Sequence, residues 1–83
     1  MGFIFGKYCI YLEFADGEKA YFMAKRGDHI MTTNSVANAE KFMSQSSAEN
    51  YFFKNNLQYG TNSNFARMTG AWVYSDGKFF RMG

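Results

Sequence analysis

The sequence predicts a small α+β domain: an antiparallel sheet of about four or five strands with one short helix packed on one face. Three observations carry this expectation. Two stretches, 8–25 and 70–82, each place aromatic and branched residues on either side of an Asp-Gly pair, the strongest short-range hairpin signal. Between them lies Ser46-Ser47-Ala48-Glu49, which reads as a capping box opening a helix.

In the first hairpin a two-residue Asp16-Gly17 turn sets a register of Ala15 with Glu18, Phe14 with Lys19, Leu12 with Tyr21 and Ile10 with Met23. Side chains alternate along a strand, so Ile10, Leu12, Phe14, Lys19, Tyr21 and Met23 should share the core face. Cys9, Tyr11, Glu13, Ala20, Phe22 and Ala24 then share the other. Phe3-Ile4-Phe5 can extend the first strand, with Gly6 as a bend. Lys25-Arg26-Gly27-Asp28 is a further turn signal, and His29-Ile30-Met31 opens a short third strand before a polar loop, 32–35. Residues 36–43 fit either a helical turn or a return strand.

Ser46 as N-cap and Glu49 at N3 start a helix that runs to about Asn56, with Ala48, Tyr51, Phe52 and Asn55 as its inward stripe. Such a short helix does not hold alone, so it must pack on the Ile10–Leu12–Phe14 face. Residues 58–69 form a polar connector, expected to be the most mobile segment. The closing hairpin pairs Tyr74 with Phe79, Val73 with Phe80 and Trp72 with Arg81.

The 83 residues are expected to form one domain. Aromatics make up 20% of the chain, and each ring can bury roughly 150–250 Å². One short helix cannot cover two sheet faces this aromatic, so apolar surface should remain for a partner. The net charge is only +2, with the surplus in the C-terminal third, which argues against a duplex nucleic-acid footprint. No apolar run approaches the roughly 20 residues of a membrane span, and the N-terminus lacks a signal-peptide pattern, so a membrane role is not expected. The single cysteine, Cys9, fits a packing role in a reducing compartment.

No catalytic, metal or cofactor site is expected. His29 is the only histidine and has no ligand-spaced partner; the carboxylates are scattered; no nucleophile elbow or Gly-rich phosphate loop is present. The Trp72, Tyr74, Phe79 and Arg81 face could instead stack bases of single-stranded nucleic acid, or simply be core.

Tyr21-Phe22 followed by a Gly turn, then Asn38-Ala39-Glu40-Lys41-Phe42-Met43-Ser44, then Ser47-Ala48-Glu49-Asn50-Tyr51 resembles a pattern in small phage-encoded proteins, over residues 8–56. The resemblance implies a protein that blocks a host target in the cytoplasm of an infected bacterium, as anti-defence and anti-CRISPR inhibitors do. The expectation is therefore a non-enzymatic inhibitor that occludes a surface of a host protein or ribonucleoprotein complex. A single-stranded nucleic-acid-binding module and a self-assembling structural protein, such as a homodimer, are the alternatives. The partner-binding candidates are exposed polar and aromatic residues near turns: Lys25, Arg26, Tyr59, Asn64, Arg67, Tyr74, Lys78 and Arg81.

Overall fold

A computed structural model describes residues 6–82. The proposed strand extension at 3–5 lies outside them. Strands β1 (Cys9–Phe14), β2 (Lys19–Arg26), β3 (His29–Thr33), β4 (Met68–Ser75) and β5 (Lys78–Arg81) form one antiparallel sheet in the order β3-β2-β1-β4-β5. Helix α1 (Gln45–Lys54) lies in the long connection from β3 to β4. The expected small α+β architecture is therefore present. β1 is the central strand, and Cys9, Ile10, Leu12 and Phe14 on it are buried.

The first hairpin departs from the two-residue turn. Tyr11 pairs with Tyr21, Leu12 with Ala20 and Glu13 with Lys19. The Gly17 amide donates to the Phe14 carbonyl at 2.9 Å, and the Phe14 amide to the Glu18 carbonyl at 2.9 Å. That closes a three-residue loop, Ala15-Asp16-Gly17, with only Gly17 at positive φ (+93°). The one-residue slip exchanges the faces of β2: Ala20 and Phe22 join the core, and Tyr21 turns outward beside Tyr11. The core decides this. Burying Phe22 is worth about 1.5–3 kcal/mol, whereas an enclosed Tyr21 hydroxyl would need a hydrogen-bond partner or cost about 1–3 kcal/mol.

The second hairpin keeps the expected register, with Trp72 opposite Arg81, Val73 opposite Phe80 and Tyr74 opposite Phe79. Here both turn residues have positive φ, Asp76 at +52° and Gly77 at +80°, as a tight two-residue turn requires.

The helix also starts earlier than the capping box suggested. Ser44, not Ser46, is the N-cap; its Oγ accepts from the Ser47 amide at 3.0 Å. Glu49 instead lies one turn from Gln45, whose Nε2 donates to it at 3.4 Å. Ala48 and Phe52 are buried, Tyr51 is half-buried, and Asn55 is the exposed C-cap. The helix packs where expected: Ala48 and Phe52 join Ile10, Leu12, Phe14, Phe22, Ile30, Phe42, Leu57 and Val73 in one cluster. Lys25 Nζ donates to the Asn55 carbonyl at 2.8 Å, placing a cation at the helix C-terminus, where the backbone dipole favours it.

The ambiguous segment resolves into a 3₁₀ turn, Val36–Asn38, and an antiparallel bridge between Phe42 and Tyr8. Thr32 and Thr33, assigned above to a loop, belong to β3. The polar connector is tied down at several points. Thr61 accepts from the Ile30 amide at 2.8 Å and donates to the Asp28 carbonyl at 2.9 Å, which covers part of the β3 edge. Asn62 is buried, with 1% of its surface exposed. Its Oδ1 accepts from the Asn64 and Ala66 amides at 3.0 and 2.9 Å, and its Nδ2 donates to Glu18 Oε1 at 2.7 Å and to the Asp16 carboxylate. Asn64 Nδ2 adds a bond to Asp16 Oδ2 at 3.0 Å. The hydrogen bonds from Asn64, then from the Glu18 amide and Asn62, hold the Asp16 carboxyl below its ordinary range.

Two outcomes follow from this arrangement. Ser44→Ala should lower unfolding free energy by about 1 kcal/mol in urea titration, whereas Glu49→Ala should change it by less than about 0.5 kcal/mol. Because the folded-state pKa of Asp16 is depressed, its contribution is present above the ordinary carboxylate pKa and disappears as pH falls through the folded one. Melting temperatures of wild type and Asp16→Ala should therefore differ at neutral pH and converge below about pH 4.

Candidate functional site

Helix α1 covers one sheet face only, so the register of β1, β2, β4 and β5 decides what the other presents. Tyr11 stands opposite Tyr21 and Trp72, and Tyr74 stands opposite Cys9 and Phe79. These five rings form a continuous patch. Tyr11 meets Tyr21 and Phe79 edge-on, both at 5.1 Å between centroids, and Tyr21 meets Tyr74 edge-on at 5.3 Å. Trp72 lies 6.3 Å from Tyr11, and Phe79 5.0 Å from Tyr74. Edge-to-face contact is the favoured aromatic geometry, so the patch is held in shape by its own rings.

The rings of the patch are only partly enclosed. Among the described residues, Phe14, Phe22, Phe42 and Phe52 are buried; the five rings of the patch are half-buried, apart from Phe79, which is 50% exposed. Cys9, beneath the patch, is fully buried, and burial pushes its thiol pKa up despite the opposing charge of Lys41. Such a thiol packs and does not react. Partial burial, followed by the Tyr74 and Tyr11 phenols beside it, likewise raises the pKa of Tyr21. The Tyr21 phenol therefore stays protonated across the physiological range.

A backbone feature shapes one end. Trp72 lies over Gly70: a Cβ there would come within 2.7 Å of indole Cη2 and 2.9 Å of Cζ3. Glu13 and Lys19 stand at the same end and pair at 3.4 Å. Tyr11, Trp72, Phe79, Glu13 and Lys19 together line a groove of about 390 Å³.

The eight residues singled out from the sequence do not converge. Tyr74 lies in the patch, and Arg81, exposed, stands opposite Trp72 on the same face. Lys78 belongs to the alternate face of β5, with Phe80, which packs on the core. Lys25 is engaged with the helix C-terminus, and Asn64 with Asp16. Arg26 is exposed at the end of β2 opposite His29, and Arg67 is exposed with its carbonyl accepting from the Ala15 amide. Tyr59 is 74% exposed on a 3₁₀ turn.

Tyr11 and Tyr21 were missed as site residues because the assumed two-residue turn put them on opposite faces. Phe65 was missed too. It is 83% exposed and has φ +61°, a left-handed conformation costly for a bulky residue. Its amide donates to the Asn62 carbonyl at 2.9 Å, so the loop that Asn62 closes holds this ring outward. No local pattern in the sequence marks it.

Among the described residues no group of three or more His, Cys, Asp or Glu side chains is arranged to hold a metal ion, and no helix is long and apolar enough to cross a membrane. Comparison with protein-family models, curated proteins and solved structures finds no match.

The close approach of Trp72 to Gly70 is directly testable. Gly70→Ala should destabilise the fold by about 1–3 kcal/mol through overpacking. It should also shift the emission of Trp72, the sole tryptophan, while circular dichroism still shows a folded chain.

Proposed function

We propose that this chain is a non-enzymatic binding protein that docks on another protein through the open aromatic face of its sheet. The observation that carries this reading is the five-ring patch left uncovered by the single helix. Tyr, Trp and Phe at the centre of a patch with few charges, with Arg81 at its margin on the edge strand, is the composition of protein-interface anchors. Rings already packed against one another also lose little freedom when a partner covers them. Phe65, held outward in a costly backbone conformation, supports the same reading as a second apolar anchor.

The charge around the patch favours a protein over a nucleic acid. Lys19 is paired with Glu13, which among the described residues leaves Arg81 as the cation outside an ion pair in register with the rings. Single-stranded nucleic acid asks for a row of cations tracking the phosphates as well as stacking rings. The resemblance of residues 8–56 to small phage-encoded proteins extends the proposal to an inhibitor that occludes a host defence protein or ribonucleoprotein complex in the bacterial cytoplasm. That extension rests on the resemblance alone.

The test compares capture from bacterial lysate by wild type, Phe79→Asp, Phe65→Asn and the helix control Lys54→Glu, with sedimentation of each variant. A species retained by wild type and Lys54→Glu and lost by Phe79→Asp supports the reading. Phe65→Asn should melt no lower than wild type, because Asn tolerates a left-handed backbone, yet weaken capture. Capture equal in all four overturns the assignment of the face. A wild-type dimer that becomes monomeric in Phe79→Asp assigns the face to self-association instead.

A further inference from the structure

The geometry points to a cation-accepting cage within the aromatic face: Tyr11, Trp72 and Phe79 supply the rings, and Glu13 supplies a carboxylate, for a guanidinium or methylated ammonium side chain of the protein partner. This deepens the protein-docking reading and rests on it.

The groove of about 390 Å³ is lined by those three rings together with Glu13 and Lys19. The rings are inclined and not stacked: Tyr11 makes 53° with Trp72 and 63° with Phe79, which it meets edge-on. The faces of aromatic rings carry negative potential, and several rings around one space favour a cation with a diffuse charge. Glu13 is the one carboxylate among the lining residues. Its side chain is 32% exposed, open to the groove's entrance yet partly shielded from solvent screening.

Lys19 is the chain's own indication of what this end accepts. Its ammonium sits 3.4 Å from Glu13 Oε2, while its side chain remains 58% exposed. An exposed ion pair of this kind is weakly held, so an incoming cation that also covers the rings can displace it into water. Arg81, opposite Trp72, is not among the residues that line the groove. Gly70 contributes by leaving the space that the Trp72 indole occupies over it. An apolar partner side chain would fill the volume equally well but would gain nothing from Glu13, and this difference separates the two.

Trp72 is the only tryptophan, so its fluorescence reports on the groove directly. The probes are the N-acetyl amides of arginine and trimethyllysine, the N-acetyl amide of norleucine as neutral control, and oligothymidylate. The two cations should give saturable changes, and norleucine should bind at least about fivefold more weakly. Glu13→Gln should weaken both cations at least about threefold without lowering the melting temperature. Lys19→Ala should tighten them, because it removes the internal competitor; a merely structural ion pair predicts no gain. Equal binding of the norleucine amide, no response to either cation, indifference to Glu13→Gln, or weaker binding in Lys19→Ala each overturns the cage. If that happens while Phe79→Asp still abolishes partner capture, the docking face stands and only the cage falls. Salt-sensitive saturation by oligothymidylate that displaces the cations overturns both.

Discussion

The three-residue loop Ala15-Asp16-Gly17 is the constraint on which most of this structure depends. By adding one residue to a two-residue turn it turns Phe22 and Ala20 toward the helix and Tyr21 toward solvent. The core and the aromatic face are thus two consequences of one register. A hairpin closed one residue tighter would bury a phenol among aliphatic side chains and expose a phenylalanine, weakening both faces at once.

The same loop anchors the far end of the chain. Asp16 and Glu18 flank Gly17 and receive the side-chain amide of Asn62, and Asp16 also receives that of Asn64. A buried asparagine is tolerated because both ends of its amide are satisfied, the oxygen by two backbone amides and the nitrogen by carboxylates. This network fixes the connector against the hairpin, and with it the outward position of Phe65 and the point at which β4 enters beside β1. Local turn chemistry therefore reaches the functional face twice, once through Tyr21 and once through the placement of Trp72 and Tyr74.

A small domain with few aliphatic residues has to stabilise itself with rings, and rings are large. Among the described residues four fill the interior between helix and sheet; the patch on the other side is stabilised by mutual ring contacts and not by a second layer. The outer face is thus both structural and available. Cys9 and Ile10 are adjacent on β1, point to opposite faces and are both fully buried, showing how much cover the rings give the central strand even without a second helix.

The sequence by itself determined the α+β class, the Asp76-Gly77 hairpin with its register, the helix and the face on which it packs, and the surplus of aromatic surface. Each of these rests on short-range signals: turn dipeptides, alternation, and a count of rings against the area one helix can cover. Tertiary structure decided the rest. Asp-Gly is compatible with a two-residue and a three-residue loop, and only the competition between Phe22 and Tyr21 for the core chose between them at Gly17. The capping box pointed to Ser46, but the N-cap is Ser44, two residues earlier, whose Oγ accepts from the Ser47 amide. Asn64 and Lys25 read as free surface because the groups that engage them lie 48 and 30 residues away in the chain. Hydrogen bonds over such separations leave no local pattern, so the site had to be read from which faces meet.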